Sequence, residues 1–554
     1  MGRIMTIKEN SLAYFDKASK AFAPLKAAET SRKPWSKVVL LSGDIVYVIR
    51  LEGQNAIVSA KGHHLKIPTD QLTEEAKLHV YFIDCGQGDA ALVHFPDGRW
   101  MMIDGGPPRK QGWTNTGKIA FDFLKWKIYR DFSWRKEFNY DPHKMKQGTK
   151  PVPFHLDSIV ISHPDYDHYA GLHELIGKIE ETDPFERITV GTIYHCGLGR
   201  FSKPHKKLEN GSGMSQLGPI KGDLPDAFLT TLIDDFADVR KYSKKAGRRD
   251  YYLDGDYASW IKELARLEGK GVGAFKRIHH KTNGGYLPSF EEDKPVSIKI
   301  LGPVEERSGG KPALRYIDTK SAVSSPSKTR NGLSVVLRLD YKKAKVLMTG
   351  DLNFKSQAVL LKHIDPSEFQ SHIVKACHHG SDDVSWKFLQ ATDPAAVVFS
   401  SGDNESHIHP RAKILGWSAA FARKMKKGRS KSYLGLKEEN LQTPLIYSTE
   451  LSRSSQLWEP YSVLSKKADG SLEKVKSPYI QPRGRSESTK ADQNPSYYKK
   501  WLLADRLIYG MVNMRTDGEI IEMGVMAESG DRFLVEKIDP DWSELEENEA
   551  PPSA

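Results

Sequence analysis

One hexapeptide constrains this chain more than any other feature. His163-Pro164-Asp165-Tyr166-Asp167-His168 follows directly on the apolar run LDSIVIS (156–162) and runs into a helical pattern, HYAGLHELIGKIEE (168–181). An apolar run of that length reads as a buried strand. Four imidazole and carboxylate side chains therefore fall within six residues at one strand-to-helix turn. In layered sheets, such turns open at the carboxyl ends of the strands, where ligands are bound. Imidazole and carboxylate together suit divalent ions such as Zn²⁺ or Mn²⁺. The blander reading is a polar turn that supplies helix caps. Chance is a poor explanation, since an H-x-D-x-D-H string arises about a few times in a thousand chains of this length.

Three more clusters stand in the same relation to apolar runs. AKVLMTGD places Asp351 just past a strand-like segment, and HIVKACHHGS places His378 and His379 likewise. AAVVFSS is followed by GDNESHIHP, which offers His407 and His409. A lone histidine pair is more often packing or surface. Repeated clusters at strand ends in one domain point to a shared task, and together they supply enough ligands for two ions.

Organisation along the 554 residues follows from texture. Residues 1–34 are polar and without period, and 35–74 carry short β-rich runs broken by Ser-Gly-Asp, Glu-Gly-Gln and Lys-Gly-His turns, as in a small SH3-like barrel. From 77 to 450 strand-like runs mix with helical ones, which predicts an α/β layered domain, with 200–295 read as an insertion. A basic linker (451–500), a β meander (501–538) and an acidic tail (539–554) complete the chain. The 82 lysines and arginines against 71 aspartates and glutamates give a net charge of +11, which favours polyanionic partners. Only Cys85, Cys196 and Cys377 occur, too few for a disulfide framework or a Cys-rich zinc site. No apolar run approaches the ~18 residues of a membrane span, and the start of the chain lacks a secretory h-region. The expectation is a soluble, cytoplasmic protein with no membrane partner.

The ordered set FIDCGQGDAALVHFPDGRWMMIDGG, ISHPDYDHYAGL, LMTGDL, KACHHGSDD and FSSGDNESHIHP resembles the metallo-β-lactamase superfamily. More narrowly, it is similar to the soluble hydrolase domain of ComEC-type competence proteins, over roughly 77–420. The resemblance implies an αββα sandwich and two divalent ions, Zn or Mn. His163 and Asp165 would hold one ion and Asp167 and His168 the other, with Asp351 between them. His379, with His378 as its alternative, and one of His407 or His409 would complete the set. Asp104 matches a residue that orients the loop from behind the ligands. His195, after ITVGTIY, is a lesser candidate for a further histidine of the wider superfamily. Cys85 and Cys377 stand where the family has Val or Pro, and both read as small buried residues rather than reactive thiols.

Two such ions hold and acidify a water and clamp the oxygens of a phosphoryl displacement. Asp167 and His379 are then the residues expected to carry the chemistry. Asn331, in a stretch resembling a family element, and Ser381 are candidates for binding substrate, although Ser381 also reads as a helix cap. Between Phe121 and Lys146, Trp126, Tyr129, Trp134 and Tyr140 alternate with Lys125, Lys127, Arg130, Arg135 and Lys136. That interleaving suits single-stranded nucleic acid, or else an amphipathic helix with a buried aromatic face. The leading expectation is a metal-dependent phosphodiesterase acting on nucleic acid, DNA before RNA. A hydrolase of small phosphoesters and a non-catalytic nucleic-acid-binding scaffold with a structural metal site are the alternatives.

Overall fold

The computed structural model describes residues 3–15, 22–23, 36–108, 120–141, 146–148, 152–202, 206–209, 212–245, 250–402, 409–421, 428–433, 438–440, 445–449, 453–456, 464–466, 472–474, 508–526 and 533–541. Helices and sheets are mixed throughout, as an α/β chain requires. Two large sheets organise it. In the first, Val272–Arg277, Ile188–His195, Phe154–Ile161 and Trp100–Ile103 run parallel. Ala91–His94, Leu78–Ile83, Ile508–Thr516, Ile521–Met526 and Phe533–Ile538 continue it antiparallel. The second sheet is ordered Val296–Gly302, Val336–Tyr341, Ala344–Met348, Ile373–Lys375, Ala396–Phe399 and Leu445–Ser448, its last four strands parallel.

Strand periodicity divides the side chains between cores. Val80, Phe82, Ala91, Val93, Met101 and Ile103 meet Ile298, Leu337, Leu339, Val346 and Val398 of the second sheet in one shared core. Their alternates Tyr81, Ile83, Leu92 and Met102 pack on the other side against Phe121, Leu175, Phe236, Trp260 and Leu264. Leu347, Val374 and Val397 likewise pack outward against Leu360, Phe388 and Ile414. Helices thus cover the outer face of each sheet. With both faces covered, the strands are near-continuous apolar runs. The carboxyl ends of Phe154–Ile161, Ala344–Met348, Ile373–Lys375 and Ala396–Phe399 all open toward one edge, where Val335 N donates to Ser162 O at 2.8 Å and ties the sheets together. No helix among the described residues is long and apolar enough to cross a membrane.

Three segments differ from the sequence reading. Within 200–295, Phe236–Tyr242 and Asp256–Arg266 are helices of the outer core, and Val272–Arg277 pairs in parallel with Ile188–His195. That part is a crossover unit of the main sheet rather than an insertion. Tyr257, Trp260, Ile261 and Leu264, spaced for one helical face, are its legible signal. A smaller sheet is built from Lys206–Glu209 through Phe228–Leu229 together with Glu306–Ser308 and Lys311–Arg315. The C-terminal strands are likewise no appendage, because Val512 pairs with Phe82 in mid-sheet, and the basic stretch Gly428–Tyr433 pairs with Phe533–Ile538. Of the linker 451–500, Arg453–Gln456 pairs with Ile508–Thr516 and Leu464–Lys466 with Leu472–Lys474; the rest, and 542–554 of the tail, lie outside the described residues.

The N-terminal β module begins earlier than 35. Arg3–Ile7 lies between Ile45–Glu52 and Leu72–Thr73 in a five-stranded sheet, and Ile7, Val46, Val58 and Leu65 make its own core. The polar sequence around this strand hid it. Buried charge fastens the module to the main sheet: Arg515 Nη1 lies 2.8 Å from Asp44 Oδ1, and Lys61 Nζ 2.6 Å from Asp44 Oδ2. Burial opposes ionisation of Asp44, but Arg515 and Lys61 outweigh it and hold the carboxyl well below the usual range. Asp44→Ala strands the Arg515 guanidinium, only 4% exposed, without its partner. Denaturant unfolding is expected to show a loss of about 3–5 kcal/mol. A loss below about 1 kcal/mol, the value of a surface pair, would contradict this anchoring role.

Candidate metal centre

Each histidine of the cluster is oriented by what its other nitrogen touches. Ser162, just past Phe154–Ile161, donates from N to Asp104 Oδ1 at 2.7 Å and from Oγ to Asp104 Oδ2 at 2.6 Å. Asp104 Oδ2 also lies 2.9 Å from His168 Nδ1. A carboxylate only accepts, so Nδ1 carries the proton and Nε2 is left as the lone-pair end. His163 Nδ1 lies 3.1 Å from Ser162 Oγ and 3.2 Å from Ser334 Oγ. The Ser162 proton is committed to Asp104 and the Ser334 proton to Asn331 O, at 2.7 Å. His163 Nδ1 must therefore donate. His379 Nδ1 faces two acceptors, Ser400 O and Asp89 Oδ1, each at 3.1 Å. In all three rings Nδ1 carries a proton, which leaves Nε2 as the nitrogen available to an ion.

Those three Nε2 atoms converge on Asp351 Oδ2, at 4.0 Å from His163, 3.3 Å from His168 and 3.4 Å from His379. His378 Nε2 is 3.6 Å from the same oxygen, and His379 Nε2 is 3.5 Å from Asp167 Oδ2. His163, His168, His379 and Asp351 are each at most 3% exposed. None of the three Nε2 atoms has a hydrogen-bond partner, and neither does Asp351 Oδ1. A buried polar atom without a partner costs about 1–3 kcal/mol, and here three of them, the imidazole Nε2 atoms, converge on one carboxylate oxygen. A divalent ion is the species that satisfies lone pairs of this kind. The ligand atoms of His163, His168 and Asp351, and again those of Asp167, His168 and His379, lie within 4.8 Å of one another, two overlapping sets.

The turn holding His378 and His379 is strained. Both have positive φ, 46° and 54°, and so does Asp104, at 55°. Non-glycine residues adopt this region at a cost and cluster at functional sites when they do. His378 N donates to Gly350 O at 3.1 Å and Arg411 N to Gly380 O at 2.9 Å, which holds the turn in place. Electrostatics follow the same geometry. Burial works against protonating His168 and His379, yet Asp351 with its neighbouring carboxylates raises both well above an ordinary histidine. Asp351 is pushed well below the usual carboxylate range, because the facing imidazoles outweigh its burial. Without an ion those rings take up protons, and an ion displaces them, so occupancy falls as pH drops.

The predicted residues are not all equal in this arrangement. His163, His168, His379 and Asp351 form its centre, and Asp167 stands at the solvent side, 32% exposed. Asp165 is at the edge, with Oδ2 3.6 Å from His163 Nε2 and its other oxygen against Arg330. His378 is 29% exposed and Asn331 Nδ2 lies 3.3 Å from its Nε2; with the amide turned the other way, Asn331 donates to Asp165 Oδ2 at 3.0 Å. The His409 ring stacks at 25° on His379 with centroids 6.3 Å apart, while His407 lies outside the described residues. Ser381 Oγ accepts from Asp383 N at 3.2 Å, a local turn bond. His195 is not brought in: it stacks on Phe275 at 3.8 Å, and burial followed by Arg277 keeps it neutral. Burial raises the Cys85 thiol well above its ordinary value and the Cys377 thiol to about 11, so neither is a reactive thiolate at neutral pH.

Two residues outside the expected ligand set complete the site. Asp89 closes the Gly-Gln-Gly-Asp turn and reaches His379, while Lys375, 3% exposed, pairs with Asp89 and donates to Gly350 O at 3.1 Å. A lysine closing an otherwise apolar strand was the available signal. The aromatic and basic stretch, by contrast, is core. Trp134 is buried, Trp126 and Tyr129 are part-buried against the same core, Lys127 pairs with Asp131 at 2.7 Å and Arg135 Nη2 donates to Val152 O at 2.8 Å, while the Tyr140 side chain lies outside the described residues.

No protein-family model matches this chain, and no curated protein shows significant similarity to it. The site therefore stands on its own geometry. His379→Ala is expected to lower bound Mn²⁺ or Zn²⁺ affinity by at least about 10-fold, read by metal analysis after dialysis. His195→Ala should retain wild-type metal content. Equal losses in the two variants would contradict the assignment.

Proposed function

We propose that this chain is a metal-dependent phosphodiesterase acting on nucleic acid, DNA foremost, with a metallo-β-lactamase-like αββα sandwich of the ComEC type. The observation that carries the reading is the convergence of three unpartnered imidazole nitrogens on Asp351, with Asp167 on the open side. Charge supports two ions rather than one. Asp89, Asp104, Asp165, Asp167 and Asp351 outnumber Lys375 and Arg330 by three negative charges, a deficit one dication leaves unmet and two cover.

Bound there, divalent ions would supply Lewis acidity toward phosphoryl oxygens and a water acidified near neutral pH. His163, His168, His379 and Asp351 would hold them. Asp104 and Asp89 keep the proton on Nδ1 of His168 and His379 and so keep Nε2 basic. Asp167, held ionised because the His379 contact outweighs its burial, faces solvent where it can accept a proton from an attacking water. The net charge of +11 suits a polyanionic substrate. A second reading, hydrolysis of small phosphoesters, gains from the burial of Trp134 and the packing of part-buried Trp126 and Tyr129 against the core, which weakens them as a base-stacking platform.

The test is turnover by the Mn²⁺- or Zn²⁺-loaded protein on single-stranded DNA, duplex DNA, RNA and bis-p-nitrophenyl phosphate. Cleavage of polynucleotide is expected, and cleavage of the small diester alone would favour the second reading. Asp167→Asn keeps the side-chain volume and should fold, because the position lies part-exposed on the single helical turn Tyr166–Tyr169. Its turnover should fall by several orders of magnitude. Near-normal turnover by a folded, metal-loaded Asp167→Asn protein would overturn the mechanism.

A further inference from the structure

Arg330 belongs to the short helix Ser327–Gly332, which leads through Asn331 to Ser334, the hydroxyl that orients His163. Its side chain is 13% exposed and lies against the carboxylate of Asp165. Among the described residues Asp165 is its one ion-pair partner, Nε makes no aligned hydrogen bond, and no hydrogen bond engages Nη1 or Nη2. The guanidinium is therefore held at the rim of the centre with its fork unspent.

A buried cation needs a counter-charge. Asp165 provides it. Asp165 Oδ2 also faces His163 Nε2 at 3.6 Å, the position of a ligand oxygen. Once an ion shares that carboxylate, its charge is claimed twice and Arg330 is left in excess beside a dication. The missing anion has to come from outside the chain, and the proposed substrate class carries one. A guanidinium offers two parallel N–H donors that match two phosphate oxygens, which an ammonium cannot do. Lys328, on the same helix and 56% exposed, is instead paired with Asp383 at 3.9 Å, which leaves Arg330 as the cation facing the centre.

We propose that Arg330 grips the non-bridging oxygens of the scissile phosphodiester, using Asp165 as its resting counter-ion. This rests on the phosphodiesterase reading above. In that role Arg330 touches substrate and is a catalytic residue, whereas a residue that only held Asp165 would act through the metal.

The experiment compares wild type, Arg330→Met and Arg330→Lys, each loaded with Mn²⁺. Three quantities are measured: metal content, calorimetric affinity for inorganic phosphate, and kcat and KM on bis-p-nitrophenyl phosphate. Metal content is expected to stay at the wild-type value in both variants. Phosphate affinity should weaken by about 10-fold or more in Arg330→Met, and kcat/KM should fall by about 10²-fold. Arg330→Lys should recover only part of either loss, since it restores charge without the fork. Metal content falling in step with activity would overturn the proposal in favour of an Asp165-positioning role. Unchanged phosphate affinity and kcat/KM would overturn it outright. Should wild type cleave no phosphodiester at all, the functional reading fails, and the phosphate titration still decides whether Arg330 binds the anion.

Discussion

The centre of this molecule depends on one carboxylate oxygen surrounded by bases. Asp351 Oδ2 faces the Nε2 atoms of His163, His168, His378 and His379 at 3.3–4.0 Å. In an apolar interior such an assembly holds together only through protons or metal ions. The rest of the site makes the ionic solution the better one. Asp104, Asp89, Ser162 and Ser334 occupy Nδ1 of His163, His168 and His379, so those three rings present the nitrogen that binds a cation. Orientation is thus built into hydrogen bonds one step behind the ligands.

Those bonds exist because two sheets open in the same direction. Asp104 and the 162–168 turn come from the first sheet, while Asp351 and His379 come from the second. The ion pair of Lys375 with Asp89 crosses between them beneath the centre, so the same groups that tune the site also pin the sheets. The positive φ of His378 and His379 shows how tightly the second sheet must turn to deliver them. Strain of that kind persists where packing over-determines it. At Gly350, φ is +54°, and a Cβ would approach the Ser334 side chain at 2.8 Å, so the turn before Asp351 has room only for glycine.

Much of this was legible in the chain itself. Ligand types placed immediately after apolar runs marked His163, His168, Asp351 and His379 because strand ends in a layered sheet share an edge. Contacts between distant segments were not legible. Nothing local tells that Lys375 meets Asp89, or that His195, also at a strand end, turns its ring to Phe275 on the opposite face. Period two decides that, and a one-residue difference in register moves a side chain across the sheet. Composition misled at Arg3–Ile7, where a polar sequence concealed an inner strand, and across 200–295, where a helical pattern at Asp256–Arg266 was legible but its place in the main outer core was not. Aromatics beside lysines at 121–146 read as core ahead of groove, and buried Trp134 with part-buried Trp126 and Tyr129 packed on that core agrees with the former.

The central claim is that Asp351 lies between two divalent ions. It is tested most directly by diffraction from crystals soaked in Mn²⁺, with anomalous differences collected at the manganese edge. The account predicts two peaks, both in contact with Asp351, one beside His163 and the other beside His379 and Asp167. An absence of peaks in this cluster at saturating Mn²⁺, or a single ion that leaves Asp167 and His379 without contact, would contradict it.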